Sequence, residues 1–582
     1  KNRVNELHAV LENTNVTVTR FSNEQKRRQI EEWLASPDHT TNYHTAAKQR
    51  HEETGLWFIK SSEFCQWKSG ITPLLCLYGV PGCGKTVLSS TIIQDLEKDL
   101  SQLPSHAFLY FYFDFRDPQK QTTEGMVCSL IGQLSWIRED CWKLLEDRFS
   151  SLTDKRRTPT GELLNLLLVT MIQQFENVWV VLDALDECST KAGKRDKSLL
   201  WLISHILRAP DTNVHVLMTT RPEQGIISEI RSWNLDKLMM PIQSDLITGD
   251  IRMYVQASIR RGKLLERWGT QPDIQDEIEA KLMEKANGMF RWVACQMEAL
   301  EECLDLPLLR AALGSLPTTL DETYSRILQS IPDTYKPNAI KILQFLAVSR
   351  RPLRVEEAVD AIAVDPGGNP RFDSRNRMPV PEEISLYCSS LVIIVCKQTQ
   401  ENDDECFYTE LHLSHLSVKE YLMSKRLPDD DFQQAFNQLE PSLSVAKMCL
   451  AYLTNVRLET RKHIKELRKA YPFADHCSRF WTDYAAVEDG EPEALQKLII
   501  EFFHDMKSYI ICIQLYYLDD PRGSLNFWDP EGYIPSPPEL YYASLNGLAF
   551  TCGHLIHAGA DVNERSGTYG NALQAASARG HE

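Results

Sequence analysis

Eight consecutive residues, Gly79-Val80-Pro81-Gly82-Cys83-Gly84-Lys85-Thr86, constrain this chain more than any other stretch. They fit G-x-x-x-x-G-K-[ST], follow the apolar run Leu74–Tyr78 and open onto the helical pattern Val87–Leu96. In that setting glycines let backbone N–H groups curl around phosphate oxygens, and the helix N-terminus adds its dipole. Lys85 then reaches the β and γ oxygens and the Thr86 hydroxyl binds Mg2+. The matching strand–loop–helix context disfavours the alternative, a chance glycine turn. The motif predicts a nucleoside tri- or diphosphate with Mg2+, held by Gly79 to Thr86 with Val87 at the helix start.

Four β-rich runs alternate with helical patterns, at Leu74–Val80, Ala107–Phe115, Val178–Leu182 and Val214–Thr220, with a weaker fifth at Leu238–Ile242. Nearly continuous apolar runs predict parallel strands covered on both faces by helices. Trp179-Val180-Val181-Leu182-Asp183-Ala184-Leu185-Asp186-Glu187 puts a carboxylate at the tip of a buried strand, where a bare charge is costly without a cation. Asp183 is the expected Mg2+ partner beside Thr86, and small Ala184 lets the strand end approach the phosphates. Asp186 and Glu187 are the expected polarisers of an attacking water. The plainer reading is a set of acids capping a strand. Arg221, in Thr219-Thr220-Arg221-Pro222, should end another strand at the same sheet edge and sense a γ-phosphate, unless it is simply a surface arginine.

At 582 residues the chain is long enough for about three to five domains. Hydrophobic residues at 43% and charged residues at 25% exclude a disordered or fibrous chain. A net charge of −17 makes nucleic acid a poor partner. The 15 cysteines are scattered and never spaced C-x-x-C, so neither a zinc site nor a disulfide framework is written, and a reducing, cytoplasmic compartment is expected. No secretory signal and no transmembrane segment of about 18 apolar residues is visible. Starting on Lys1 and stopping in mid-pattern at Arg579-Gly580-His581-Glu582, the chain reads as a fragment of a longer protein.

The expected organisation is multidomain α/β plus α. A helical lead-in over 1–70 precedes the sheet domain of 71–244, and a helical domain over 245–330 includes the pattern Ile278–Leu300 with Gly288 inside it. Over 331–428, helices around Ile340–Ala347 and Val355–Ile362 precede a hairpin of Leu391–Val395 and Phe407–Leu413, as in a winged-helix domain. Residues 429–534 read as helical, and Pro535-Ser536-Pro537-Pro538 as a linker into 535–582. There Leu540-Tyr541-Tyr542-Ala543-Ser544-Leu545-Asn546-Gly547 recurs as Leu573-Gln574-Ala575-Ala576-Ser577-Ala578-Arg579-Gly580. The offset of 33 residues is the ankyrin period. Two truncated repeats bury little, so further repeats are expected to follow.

Taken jointly, the phosphate loop, Asp183-Ala184-Leu185-Asp186-Glu187, Thr219-Thr220-Arg221-Pro222 and the repeat resemble the fungal NACHT–ankyrin proteins of the STAND class of signalling NTPases. Thr54-Gly55-Leu56-Trp57-Phe58, Gly288-Met289-Phe290-Arg291-Trp292 and Leu316-Pro317-Thr318-Thr319-Leu320-Asp321 extend the likeness. The resemblance implies a P-loop NTPase core and a switch closed on a diphosphate, which a signal at the ankyrin repeats opens for nucleotide exchange and homo-oligomerisation. It also implies a protein ligand for those repeats and an N-terminal effector not visible here. It places Thr54, Gly55, Gly288 and Met289 near the base, and His415, in His415-Leu416-Ser417-Val418, on the diphosphate as the winged helix's contribution; a histidine capping a helix start is the alternative. No residue decides between ATP/ADP and GTP/GDP. Competing functions are a multi-turnover ATPase, an ankyrin scaffold with a structural nucleotide and, least favoured, a small-molecule phosphotransferase.

Overall fold

The computed structural model describes residues 25–581 apart from 52, 101–102, 152–160, 189, 192–193, 196, 243, 402–403, 429, 457–463, 487–491, 518 and 520–536. It divides into two compact units, one ending at Thr318 and the other beginning at Thr319.

In the first unit, strands β1 (Leu74–Tyr78), β2 (His106–Tyr112) and β3 (Asn177–Asp183) are followed by a ladder of β4 (Thr190–Lys191) with β5 (Lys194–Arg195). Strands β6 (Val214–Thr220) and β7 (Lys237–Pro241) complete a parallel five-stranded sheet in the order β2-β3-β6-β1-β7. Alternate strand residues, among them Leu109, Val180, Leu182, Val216 and Met218, pack with Met126, Leu130, Ile172 and Ile203 of the helices Thr123–Ile137, Gly161–Ile172 and Lys197–Leu207. Their neighbours Leu75, Leu77, Val181 and Leu217 are buried as well, which explains the continuous apolar runs. Each such side chain contributes about 1.5–3 kcal/mol on burial.

The expected run Ala107–Phe115 leaves the sheet at Tyr112, because Asp114 turns away with its N–H bonded to the Lys120 carbonyl at 3.3 Å. The pattern Ile278–Leu300 is two helices, Pro272–Lys285 and Phe290–Glu301. Asn287 at φ 44° and Gly288 at φ 73° break it, a left-handed pair that no helix continues through.

β1 and β6 are neighbours whose connections leave in opposite directions, β1 toward β2 and β6 toward β7. The crevice at their C-terminal ends is where open parallel sheets bind ligands.

The second unit begins with the helix Leu320–Ser330 and continues with Lys336–Val348 and Val355–Ile362. The hairpin β9 (Val392–Glu401) and β10 (Asp404–Leu413) pairs with the short strand β8 (Leu353–Arg354) in the order β8-β10-β9. Its strands are longer than the apolar runs indicated, since ladder bonds extend through polar Lys397, Gln398 and Thr399. Helices then follow to Leu515, and Pro535 and Ser536 of the expected linker lie outside the described residues. Helices Glu539–Leu545, Ala549–His557 and Ala572–Arg579 close the chain, with Tyr541, Leu545 and Ala575 packed together.

Candidate functional site

The phosphate-loop sequence joins β1 directly to the helix Lys85–Leu100. Gly82 at φ 77° and Gly84 at φ 91° hold conformations that side chains resist, and the helix's first N–H groups, which have no partners within a helix, open onto the loop. Both glycines also permit close packing. A Cβ on Gly82 would stand 2.8 Å from that of Arg291, and one on Gly84 would stand 3.2 Å from the Phe290 ring. Arg291 donates its backbone N–H to the Gly82 carbonyl at 3.2 Å. The turn at Gly288 and Met289 therefore delivers its successors Phe290 and Arg291 onto the loop. Lys85 folds its ammonium back to the carbonyls of Gly79 at 2.7 Å and Val80 at 3.1 Å.

Asp183, at the end of β3, meets the first turn of that helix. Thr86 Oγ1 donates to its Oδ2 at 2.8 Å, while Ser89 Oγ at 2.6 Å and Thr219 Oγ1 at 2.7 Å donate to Oδ1. Thr219 in turn accepts the Ala184 N–H at 2.9 Å. Burial raises the Asp183 carboxyl above its ordinary range, opposed by these three hydroxyls and by Lys85. Ala184 sits at φ 57°, so the chain turns sharply into the 3-10 turn Leu185–Glu187. The motif pattern assigns no role to Ser89 or Thr219. Ser89 was findable as the residue three after Thr86, on the same helix face.

Hard oxygen donors on Thr86 and Asp183 suit Mg2+, and an anion buried among neutral hydroxyls gains from a cation. The buried Thr220 hydroxyl, beside the loop on β6, has no partner among the described residues. Thr86 and Asp183 would hold the ion, with remaining positions left to phosphate and water. The residues fit the group.

The acidic pair divides. Asp186 accepts from the Arg221 backbone N–H and Nε, each at 2.9 Å, so both side chains are engaged with each other at the ends of β3 and β6. Glu187 accepts the Phe115 N–H at 2.9 Å. Burial, then the Asp114 carboxylate, lifts the Glu187 carboxyl well above its ordinary range; Asp186 adds to this, while the Phe115 N–H and Arg116 oppose it. Asp114 itself is held well below the carboxylate range: burial works against its charge, but Arg116 and Asn42 outweigh it. Asp114 lies inside the apolar run Ala107–Phe115, and a lone acid in such a run is the signal for it.

Thr54 and Gly55 lie in a turn against the helix Lys85–Leu100, where a Cβ on Gly55 would stand 3.1 Å from Leu88 and 3.2 Å from Thr91 Oγ1. Asp250 Oδ2 fixes this turn, accepting the Gly55 N–H at 2.7 Å and Trp57 Nε1 at 3.1 Å. Asp250 carried no sequence signal; it is one more acid in a helical pattern.

In the second unit His415 caps the helix Leu416–Leu422, its Nδ1 accepting the Ser417 N–H at 3.1 Å. That backbone group only donates, so the proton of the neutral ring is on Nε2. The Ser417 hydroxyl lies 2.7 Å from Nδ1 and 2.8 Å from the Tyr324 hydroxyl.

Residues 53–221 match the family described as Nephrocystin 3, N-terminal. The chain is similar to the azaphilone pigments biosynthesis cluster protein L of Monascus ruber, 34% identical over 284 residues, covering 46% of this chain and 58% of that protein. It is also similar to the vegetative incompatibility protein HET-E-1 of Podospora anserina, 24% identical over 411 residues, covering 67% of this chain and 28% of the relative. The chain thus spans less than two thirds of either. A Walker-type ATPase of Pyrococcus abyssi aligns over 61% of this chain and 94% of its own at 13% identity, with a TM-score of 0.28, too slight a likeness to inform the fold.

Proposed function

We propose that this chain, a relative of the fungal NLR-like STAND NTPases carrying a NACHT-type P-loop domain, is a nucleotide-controlled signalling switch. The observation that carries the reading is the bond between Thr86 and Asp183, which joins the phosphate-loop helix to the strand-end carboxylate. It binds ATP/ADP or GTP/GDP with Mg2+. When bound, Mg2+ neutralises phosphate charge.

The chain's own residues do the rest. Lys85 exchanges its loop carbonyls for phosphate oxygens, a charge-assisted contact. Thr86 and Asp183 fix the cation, and Ser89 and Thr219 orient Asp183. Glu187 takes the proton of the attacking water, its proton affinity raised by burial and by the Asp114 carboxylate. Asp186 orients Arg221 rather than activating water, and an arginine so tied supports slow hydrolysis over rapid turnover. By the resemblance, the Nε2–H of His415 donates to the diphosphate and favours the closed state. The three-stranded β8-β10-β9 sheet, with the helices Lys336–Val348 and Val355–Ile362 on either side of β8 in the chain, supports the winged-helix reading. The helices around Leu540 and Leu573, 33 residues apart, support an ankyrin-type sensor for a protein ligand. Opening would lead to nucleotide exchange and homo-oligomerisation, in fungal non-self recognition or programmed cell death.

Denaturing the purified protein and separating what it releases tests this directly. A stoichiometric nucleoside diphosphate supports the switch and identifies its base; rapid steady-state turnover with no retained nucleotide contradicts it.

A further inference from the structure

The turn after β2 is tied to Glu187, the proposed base, through the Phe115 N–H. Buried Asp114, two residues past β2, chelates Arg116 through Nε to Oδ1 at 2.7 Å and Nη2 to Oδ2 at 2.8 Å. The next residue, Phe115, supplies the N–H that holds Glu187. Its carbonyl accepts Gln121 Nε2 at 2.7 Å, and the turn closes with the Asp117 N–H on the Asp114 carbonyl at 3.0 Å.

Asn42, on the lead-in helix Thr40–Gln49, is inserted into this arrangement. Its Nδ2 donates to Asp114 Oδ2 at 2.6 Å, and its Oδ1 accepts from Lys120 Nζ at 2.6 Å. Lys120 is only 2% exposed. A buried ammonium requires an acceptor and a buried carboxylate requires donors; one carboxamide serves both. The side chain thereby fixes where Asp114 sits, and Asp114 precedes the peptide group that aims Glu187.

We infer that Asn42 is a positioning residue for Glu187, so that the seating of the lead-in helix sets the rate of hydrolysis without setting nucleotide affinity. The inference rests on the hydrolytic role proposed for Glu187. Affinity is spared because Asn42, Asp114, Arg116 and Lys120 make none of the contacts described for Lys85, Thr86 or Asp183. A small displacement of a reacting group is enough to cost rate.

The test is a double-mutant cycle in the full chain, reading single-turnover hydrolysis and nucleotide affinity in the parent, Asn42→Ala, Glu187→Gln and the double variant. Asn42→Ala should slow hydrolysis about tenfold or more, leave affinity within about twofold, and add nothing to Glu187→Gln. Slowing that persists in the Glu187→Gln background, or a matching loss of affinity, makes Asn42 a structural residue and overturns the inference. If Asn42→Ala unfolds, Gln121→Ala perturbs the same Phe115 segment and should show the same split; unchanged hydrolysis there overturns it equally. Slow Glu187→Gln with normal Asn42→Ala overturns this inference alone, whereas normal hydrolysis in Glu187→Gln removes the role of Glu187 and the inference with it.

Discussion

Arg221 binds Asp186 twice, through its backbone N–H and its Nε, each at 2.9 Å. This pair ties the exit of β6 to the turn after β3, on either side of the strand tip that carries Asp183. Asp186 is 4% exposed at its side chain, so it depends on that guanidinium.

Arg221→Ala leaves Asp186 with the backbone donor only. Stripping a buried pair of one partner costs about 3–5 kcal/mol, and the surviving N–H puts the expected loss nearer about 2–3 kcal/mol. Urea unfolding of the nucleotide-free protein checks this; a loss under about 0.5 kcal/mol would make the pair an ordinary surface contact.

Gly82→Ala faces two penalties, a left-handed backbone at φ 77° and a new Cβ 2.8 Å from that of Arg291. The first costs about 1–2 kcal/mol and the second forces the start of Phe290–Glu301 to shift, about 1–3 kcal/mol more. A lowered unfolding midpoint and increased protease cleavage near Arg291 are expected.

Ala184 occupies φ 57° and ψ 52°, which an L-residue tolerates poorly. Ala184→Gly should be neutral or stabilising by up to about 1 kcal/mol, since relief of strain offsets glycine's entropy. Ala184→Val should destabilise by about 2 kcal/mol or more, because a β-branched residue resists this region. Equal unfolding midpoints for the two variants would contradict the strained turn.

Asp114→Asn removes the negative charge that, after burial, does most to raise the Glu187 carboxyl. Its loss lowers the Glu187 pKa, and the proposed base works in its ionised form, above that pKa. The acid limb of the single-turnover rate–pH profile should therefore move to lower pH. An unmoved limb would show that Glu187 does not titrate in this step.

Much of the site was legible because its chemistry is local in sequence: a loop between a strand and a helix, and acids at a strand tip. The parallel sheet and the meeting of Thr86 with Asp183 agree with that reading, whereas the strand order β2-β3-β6-β1-β7 is written in no local pattern. What sequence hid was the choice among chemically equal neighbours. Asp186 and Glu187 are adjacent acids, and only the positions of Arg221 and the Phe115 N–H separate the one clamped to a guanidinium from the one held by a backbone donor. Asn42 and Asp250 act across 72 and 195 residues of chain, on Asp114 and Gly55, and no spacing rule reaches that far. The left-handed Asn287-Gly288 pair was likewise masked by helical periodicity on both sides.

The proposed switch requires the loop from Gly79 to Thr86 to hold a nucleotide with Mg2+. Calorimetric titration of nucleotide-free protein with Mg2+ and each of ADP and GDP, in the parent and in Lys85→Ala, measures that step alone. Saturable binding of one nucleotide per chain is expected, weakened in Lys85→Ala by about tenfold to a hundredfold, the worth of a charge-assisted contact. Absence of binding to either nucleotide by the folded parent, or the same affinity in Lys85→Ala, would contradict it.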